Sequence, residues 1–493
     1  MRADRPRHAA YDVLRAVDDQ DAYANLLLPS LLRERGLTGR DAAFATELTY
    51  GTLRGRGTYD AVLSACSDRD DVDPPVRDVL RLGVHQLLAT RVGQHAAVAT
   101  SVDLVKDVCG PRPSGFVNAV LRRVATRDMD SWIPIVAPDP ARDQAGYLAV
   151  KHSYPRWIVD AIRKALGPAG AAEIDAALAA GNARPEVVLA LAPDPGELPD
   201  GERTRWSPYG YRLTGGDPAP LVASGQAAVQ DEASQLAALA LSRVGLVGDP
   251  GQDRLWLDLC AGPGGKSRLL SGLAAERGAR LIASDVRPHR ARRILETLRR
   301  VRPAASDSVS PGDSASPGAS ASPGDSASPG DSASPGNTAV IAADGRHVPW
   351  RSGTFDRVLA DVPCSGLGSL RRRPEARWRK TPADVKELAS LQRELLNAAI
   401  DSARPGGVVA YVTCSPHLAE TRDVVTAVAG SRDDVTILDA PAVLPEVPGL
   451  RSADPGADPG ADPGAGLMSA RFAQFWPHRH GTDAIFLALL RRG

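Results

Sequence analysis

The sequence of 493 residues has no net charge, few cysteines and no long apolar run, and each absence excludes a class of protein. Its 59 basic side chains balance 59 acidic ones, which excludes a globally basic nucleic-acid-binding protein but leaves room for local basic patches. The five cysteines are odd in number, and their spacing fits neither a disulfide framework nor a zinc site. We therefore expect no disulfide and no metal.

The apolar residues are scattered rather than collected in one segment. No apolar run approaches the roughly 20 residues that a helix needs to cross a bilayer. The N-terminal stretch Met1–His8 is rich in arginine and leads into an amphipathic pattern, unlike the apolar segment of a signal peptide. We expect a cytoplasmic protein without membrane contact.

The length predicts two or three domains. Residues 1–130 predict an all-helical domain, because apolar residues such as Ala9, Val13 and Val17 recur at helical spacing. Residues 131–240 predict a linking region of helices and strands, which the Pro-rich stretch 133–140 separates from the first domain. From 241 to 493 short strands alternate with helices, which predicts a doubly wound parallel sheet of the Rossmann type. The predicted strands are 186–191 in the linking region and 255–259, 280–284, 339–343, 357–360 and 407–412 in the sheet; the predicted N-terminal helices include 42–53, 76–88, 98–108 and 116–124.

Two low-complexity inserts interrupt the C-terminal domain, near residues 304–337 and 452–466. The first repeats Ser-Pro-Gly-Asp-Ser-Ala with small variations, and the second repeats Ala-Asp-Pro-Gly. Because neither can bury enough apolar surface to offset its chain entropy, we expect both to be disordered surface loops.

A glycine-rich turn, Asp258–Ser267, stands where the first strand of the sheet is expected to lead into a helix. Glycines let a ligand approach the backbone closely, and a helix N-terminus favours an anion or a carboxylate. A Walker loop requires glycine where Cys260 stands, and the dinucleotide fingerprint requires glycine where Ser267 stands. S-adenosylmethionine, which carries an adenosine but no phosphates, is the remaining candidate.

Acidic residues at strand ends support an adenosine ligand. Asp285 lies about 20 residues past the turn, the spacing expected for a carboxylate on ribose hydroxyls. Asp344 ends the next strand, within reach of an adenine. One such aspartate is usually a turn or cap residue, but several beside a Gly-rich turn favour a binding site. The predicted cofactor-binding residues are Cys260, Ala261, Gly262, Pro263, Gly264, Gly265, Lys266, Asp285, Asp344 and Asp361.

Two cysteines, Cys364 and Cys414, follow predicted strand ends directly. Open α/β sheets bind their ligands at the carboxyl ends of the strands. A lone buried cysteine is mostly a small hydrophobe, and this interpretation covers the other three cysteines of the chain. For Cys364 and Cys414, in loops that face the predicted cofactor, we favour a reactive thiol.

With these residues the chain resembles the bacterial RsmB (Sun/Fmu) branch of the RNA 5-methylcytosine methyltransferases. Residues 1–130 resemble the NusB-like helical RNA-binding domain that this branch carries. The resemblance spans nearly the whole chain except the inserts. The matching segments in the C-terminal half are 229–234, 258–267, 361–366, 413–415 and 481–486.

The resemblance implies methyl transfer from S-adenosylmethionine to carbon-5 of a cytosine in RNA, with 16S rRNA the implied substrate. Carbon-5 is a poor nucleophile until a thiolate adds to carbon-6, and Cys414 is the implied thiolate. Asp361 is implied to hydrogen-bond the base and stabilise the charge that develops. Cys364 is implied to assist release of the product. The base must be single-stranded or flipped from its stack to be reached.

A basic segment follows the Cys364 loop, and beside a methyl-transfer site phosphate contact is its favoured interpretation. Its predicted RNA-binding residues are Arg371, Arg372, Arg377, Trp378 and Arg379. For a second basic run, 287–302, phosphate contact and a solvated helix face are equally favoured.

Other functions stay open at the level of sequence. They are a tRNA cytosine-5 methyltransferase, a methyltransferase acting on a protein or small molecule, and a non-catalytic NusB-like RNA-binding or antitermination factor. The presence of both cysteines argues against the last of these, and the Arg/Trp segment argues against a small molecule. We expect a monomer with RNA as its partner.

Overall fold

A computed structural model of the protein describes residues 4–69, 71–192, 195–248, 253–299, 337–451 and 470–493. The predicted disordered inserts therefore lie outside the described residues. Among the helices of these ranges, none combines the length and the apolar character needed to span a membrane.

The N-terminal part is an all-helical bundle, as the apolar spacing predicts. The predicted face of α1 is buried, with Val13 and Val17 in the main core of the bundle and Ala9 in a smaller cluster with Leu37 and Ala45. The first six helices are α1 (Arg5–Asp19), α2 (Ala24–Glu34), α3 (Gly39–Cys66), α4 (Pro74–Ala89), α5 (Gln94–Cys109) and α6 (Ser114–Val124).

Helix α3 is much longer than the predicted 42–53 and continues through Gly55 and Gly57 to Cys66. Glycine is a weak helix former, but here neighbouring side chains occupy the space that a Cβ would fill. A Cβ on Gly51 would lie 2.1 Å from Cε1 of His85, and one on Gly57 would lie 2.5 Å from Cη2 of Trp378. Close packing therefore overrides the local preference.

The Pro-rich stretch is not a plain separator, which corrects the prediction. Helix α7 (Met129–Val136) includes Pro134 and begins at the N-cap Asp128, whose carboxylate accepts a hydrogen bond from Ser131 N at 2.9 Å. Trp132 on this helix packs into the N-terminal core and donates from Nε1 to the carbonyl of Val124 at 3.0 Å. The helical bundle thus continues past residue 130.

The linking region contains more strands than the single one predicted. After α8 (Gln144–Lys151), α9 (Arg156–Gly170) and α10 (Ile174–Ala180), a four-stranded antiparallel sheet forms in the order β2-β3-β1-β4. Helix α11 (Ala219–Ala223) precedes the last of these strands. Their bounds are β1 Val188–Leu191, β2 Gly201–Arg203, β3 Gly210–Leu213 and β4 Ala227–Val229.

The C-terminal sheet has five parallel strands in the order β9-β8-β5-β6-β7, as the alternating pattern predicts. It is not wholly parallel, because β12 pairs antiparallel with β9, and β10 and β11 pair antiparallel with β12. The bounds are β5 Leu255–Asp258, β6 Arg280–Asp285, β7 Thr338–Ala342, β8 Phe355–Asp361, β9 Ala403–Thr413, β10 Val435–Leu438, β11 Ala473–Gln474 and β12 Phe486–Arg492.

Helices cover both faces of this sheet, so alternate residues of a strand enter different cores. Trp256 packs with α12 and α13, while its neighbour Leu257 packs with α16 and α17. The strands are therefore apolar on both sides, as buried parallel strands are. The helices are α12 Glu232–Arg243, α13 Gly265–Ala275, α14 Pro288–Arg299, α15 Ala376–Arg379, α16 Pro382–Ser402, α17 Arg422–Gly430 and α18 Pro477–His480.

Candidate active site

The parallel strands bring the predicted site residues to one edge of the sheet. Asp258, Asp285 and Asp361 are the last residues of β5, β6 and β8, and Cys414 directly follows β9. Strand β5 lies between β6 and β8, so the strand order reverses beside it. Ligands of open α/β sheets bind at such a reversal, outside the carboxyl ends of the strands.

The glycine-rich turn is held against the end of β6. Gly262 N donates to Oδ2 of Asp285 at 3.1 Å, and a Cβ on Gly262 would lie 2.3 Å from that oxygen. Gly264 has a φ of +107°, in the left-handed region that favours glycine, just before α13 begins. The turn therefore leaves backbone exposed to a ligand beside a fixed carboxylate.

Asp258 is a buried acceptor beneath this turn. Ser267 donates from Oγ to its Oδ2 at 2.7 Å, whereas its Oδ1 has no partner among the described residues. Burial raises the pKa of Asp258 to about 7, although the bond from Ser267 opposes the shift. The free Oδ1 of Asp258 and the glycine cradle fit S-adenosylmethionine, whose ammonium and hydroxyl groups are donors.

Asp344 and the cysteine of the turn differ from the other candidates. Asp344 lies two residues beyond β7, and Arg346 holds it with Nη2 2.8 Å from Oδ2. The hydrogen bonds from Arg346 hold the pKa of Asp344 far below its usual range. Cys260 is half-buried, and burial raises the pKa of its thiol well above the ordinary value. A thiol in that condition is not a nucleophile.

Lys266 links the cofactor turn to the predicted base-binding residue. Its Nζ lies 2.7 Å from Oδ2 of Asp361. Burial lowers the pKa of Lys266, but the attraction of Asp361 outweighs it and raises the pKa above its usual value. An ammonium group therefore lies at the edge of the sheet beside Asp361. Its positive charge also acts on Cys414.

The structure brings the two predicted reactive cysteines together. The Sγ atoms of Cys364 and Cys414 are 3.2 Å apart, from loops after the neighbouring strands β8 and β9. The hydrogen bond from Cys364 lowers the pKa of Cys414, and Lys266 acts in the same direction. The same bond, burial and the charge of Glu420 raise the pKa of Cys364. The two shifts favour Cys414 over Cys364 as the nucleophile of the pair.

Arg371 is buried and Arg372 is half-buried, and both are held by internal carboxylates, contrary to the predicted RNA contact. Arg371 donates from Nη2 to Asp231 at 2.8 Å and from Nε to Asp483 at 2.5 Å. Arg372 makes the corresponding two bonds, each at 2.8 Å. Both aspartates are buried. The basic charge here balances buried carboxylates, so these two arginines do not support phosphate binding.

The other three predicted RNA-binding residues join this loop to the rest of the chain. Arg377 is fully buried and donates from Nη1 to the Ser153 carbonyl at 2.9 Å. Trp378 packs on Gly57 of α3. Arg379 donates from Nη2 to the carbonyls of Val17 and Ala22 at 2.6 and 2.7 Å. The burial of Arg377 and the internal partners of Arg379 correct the predicted phosphate contact here too.

The second basic run, 287–302, contains arginines whose charges are not neutralised by the described residues. On α14 and the residue before it, five arginines are exposed, and none forms an ion pair or a side-chain hydrogen bond with the described residues. The helix begins beside the cofactor turn, because Cδ of Arg290 lies 3.0 Å from where a Cβ of Gly262 would be. The five residues are Arg287, Arg290, Arg292, Arg293 and Arg299.

One buried residue near the cysteines is absent from the sequence prediction. Glu420 is fully buried and accepts hydrogen bonds from the residue after each cysteine, Ser365 and Ser415. In the sequence it is a single acidic residue in Leu418-Ala419-Glu420, with no pattern that separates it from a surface glutamate. Its position emerges only when β8 and β9 lie side by side.

Two family profiles match the chain. The profile described as 16S rRNA methyltransferase RsmB/F matches residues 246–321 and 333–491, and that of the NusB family matches 4–126. Ribosomal RNA small subunit methyltransferase B of Pseudomonas putida is 29% identical over 506 residues, covering 98% of each chain. A Mycobacterium tuberculosis protein named only as a methyltransferase is 47% identical over 501 residues, covering 99% of this chain and 97% of its own. The crystal structure of PH0851 covers 99% of each chain with a TM-score of 0.71 at 20% identity, a likeness of fold.

Fold, site and profiles together define an S-adenosylmethionine-dependent RNA methyltransferase with a NusB-type N-terminal domain. The chain belongs to the RsmB/F family of 16S rRNA methyltransferases, whose substrate is small-subunit ribosomal RNA.

Proposed function

We propose that the protein methylates carbon-5 of a cytosine in 16S rRNA through a covalent bond between Cys414 and the base. The observation that carries this proposal is the 3.2 Å approach of the Cys364 and Cys414 sulfurs at the carboxyl ends of adjacent strands. A methyltransferase that acts on a nucleophilic nitrogen or oxygen has no use for two facing thiols. A carbon that must first be activated requires one thiol to attack and a second group to help the product leave.

We assign a residue to each step. The thiolate of Cys414 adds to carbon-6, and the electron pair of the 5,6 double bond moves toward carbon-5, which takes the methyl group. Asp361, fixed by Lys266, accepts a hydrogen bond from the exocyclic amine of the base, and the Lys266 ammonium beside it offsets the negative charge that develops on the ring. Transfer of the carbon-5 proton to a water molecule then restores the double bond and expels the Cys414 sulfur as a thiolate. Cys364, protonated and in contact with that sulfur, assists this release.

S-adenosylmethionine supplies an electrophilic methyl group on a sulfonium. We assign its binding to the turn 260–266 and to Asp285, Asp344 and Asp361. The cradle between Gly262 and Asp285 supports an adenosine site there. Asp344 is partly exposed, but Arg346 donates to both of its carboxylate oxygens, so a donor of the cofactor would have to displace part of that pairing.

Asp285→Ala should weaken S-adenosylmethionine binding by about 10- to 100-fold, because a hydrogen bond to a charged acceptor contributes roughly 1.5–3 kcal/mol. Isothermal titration calorimetry measures the affinity, and circular dichroism checks that the fold is retained. Glu296→Ala, which removes an exposed carboxylate on α14, is the matched control. Unchanged affinity in a folded Asp285→Ala protein would exclude the assignment.

The RNA substrate requires a positive surface, and the exposed arginines of α14 supply one beside the cofactor turn. Arg292→Gln with Arg293→Gln should weaken RNA binding for all sequences alike. The slope of the salt dependence should fall by about 0.7–0.9 for each phosphate that the protein no longer neutralises. Fluorescence anisotropy over a salt series measures both. Arg351→Gln, an exposed arginine at the opposite edge of the sheet, is the control. If the double substitution on α14 weakened RNA binding no more than Arg351→Gln does, α14 would be a solvated helix face without a role in RNA binding.

The experiment that tests the proposed function is bisulfite sequencing of rRNA and tRNA from a strain without the gene, complemented with wild type or with Cys414→Ala. A 16S cytosine that loses its methyl group in the deletion strain and regains it only with wild type is the expected result. A site that changes in tRNA instead would favour the tRNA alternative. No change in any cytosine would overturn the proposal.

A further inference from the structure

A buried carboxylate connects the two cysteine loops. Glu420, in the 3-10 turn Leu418–Glu420, is 0% exposed. Its Oε1 accepts from Ser365 N at 2.7 Å, and its Oε2 accepts from the hydroxyls of Ser365 at 2.5 Å and Ser415 at 2.7 Å. Ser365 directly follows Cys364, and Ser415 directly follows Cys414. One side chain thus fixes the residue after each sulfur.

A second layer fixes the carboxylate itself. Gln392 on α16 donates from Nε2 to Glu420 Oε1 at 3.2 Å and to the Pro363 carbonyl at 2.8 Å. The Tyr411 hydroxyl on β9 donates to the Glu420 carbonyl at 2.7 Å. The sheet and the helix therefore determine where Glu420 lies, and Glu420 determines where both loops lie.

Glu420 forms no ion pair with a Lys, Arg or His in the described part of the chain. A buried charge without a counter-ion is costly, and hydrogen bonds from one backbone N–H, two hydroxyls and an amide meet only part of that cost. A neutral side chain would bridge the loops with less penalty. The free-energy cost of burying this carboxylate indicates that its negative charge has a function here.

Building on the two-cysteine reaction proposed above, we propose that Glu420 is a positioning residue that holds the Cys364 thiol against the Cys414 sulfur. Its negative charge has a second effect. After the larger contributions of the Cys414 hydrogen bond and burial, it raises the pKa of Cys364, so that Cys364 stays protonated. The other charged groups that face the pair are Lys266 on α13, Asp361 at the end of β8 and Asp483 before β12.

Loss of the connection should disturb release more than attack. Cys414 is also fixed by β9, on which Thr413 is the last residue, whereas Cys364 lies three residues beyond β8. A displacement of about 1 Å can cost roughly 10²-fold in rate. Glu420→Ala should therefore reduce turnover by about 10²-fold and accumulate the RNA–protein adduct expected when Cys364 is lost. Glu420→Gln, which keeps the shape and part of the bonding, should recover part of the turnover.

The test measures multiple-turnover rate, adduct on denaturing gels and S-adenosylmethionine affinity. It also measures the pH at which Cys364 reacts with iodoacetamide, located by peptide mass spectrometry. We expect slow turnover with adduct in Glu420→Ala, unchanged cofactor affinity, and alkylation of Cys364 at lower pH in Glu420→Gln. Glu387→Gln, an exposed glutamate on α16, is the matched control. Ser415→Ala, which removes one donor, replaces Glu420→Ala if that protein does not fold.

Two outcomes would overturn the proposal. One is wild-type turnover without adduct in folded Glu420 variants, while Cys414→Ala is inactive. The other is loss of turnover with equal loss of cofactor affinity and no adduct, which indicates a general structural role. If Cys414→Ala itself retains full activity, the proposed function fails, and that result is distinct from either outcome for Glu420.

Discussion

Replacing Cys414 with alanine should reduce methyl transfer to the RNA by at least about 10³-fold and abolish any covalent adduct, because it removes the sulfur to which we assign the attack on the base. Replacing Cys364 with alanine should have the opposite signature. Cys414 can still attack and the methyl group can still transfer, but expulsion of the Cys414 sulfur is slow. The protein should then remain attached to its methylated product.

Denaturing gels with a radiolabelled methyl donor measure the difference between the two substitutions. An RNA-linked protein band from Cys364→Ala and none from Cys414→Ala is the expected pattern. Cys109→Ala, in the N-terminal helical bundle, should turn over like wild type without a band. A band from Cys414→Ala and none from Cys364→Ala would exchange the two roles.

The largest effect on stability should come from the buried arginine network. Asp483→Ala leaves Arg371 and Arg372 with one carboxylate, Asp231, where two now balance them. Because an uncompensated buried charge is left behind, we expect a loss of about 3–5 kcal/mol in the free energy of unfolding. Urea unfolding followed by circular dichroism measures this loss.

An exposed ion pair of the same chemistry provides the comparison. Glu202 pairs with Arg212 at the surface of the linking sheet, with side chains 56% and 38% exposed. Glu202→Ala should therefore change the stability by less than about 1 kcal/mol. Equal urea midpoints for the two variants would show that the network around Asp483 is not a stabilising feature.

The sequence predicts those parts of the fold that follow from local periodicity. The helical face of α1 and the five parallel strands follow from spacing alone, because each strand is a short apolar run between turns. The antiparallel strands β10, β11 and β12 are outside that prediction, since edge pairing depends on the register of β9. The length of α3 is missed because His85 and Trp378 approach its glycines from distant parts of the chain.

The site divides in the same way. That Cys364 and Cys414 both face one edge follows from their places after strands, and the structure brings their sulfurs to 3.2 Å. The position of Glu420 between the two loops and the pairing of Arg371 depend on contacts between distant parts of the sequence. The sequence around Arg371 indicates a basic run, and only the folded chain reveals that Asp231, 140 residues away, neutralises it.

Residues 375–379 of the C-terminal domain form hydrogen bonds with the N-terminal bundle, which decides whether the two domains can be exchanged separately. Glu375 is buried and accepts from the backbone N–H of Ala24 at the start of α2 at 3.2 Å, and Arg379 bonds the carbonyls that precede the same helix. This stretch belongs to the chain that leaves the Cys364 loop, yet its partners belong to the N-terminal bundle. Because these partners are backbone groups, a chimera that exchanges only the N-terminal domain keeps the bonds only where the new backbone lies in the same place as residues 17–24. We therefore expect the N-terminal domain to be exchanged most successfully together with residues 375–379, as one structural unit with the segment that it contacts.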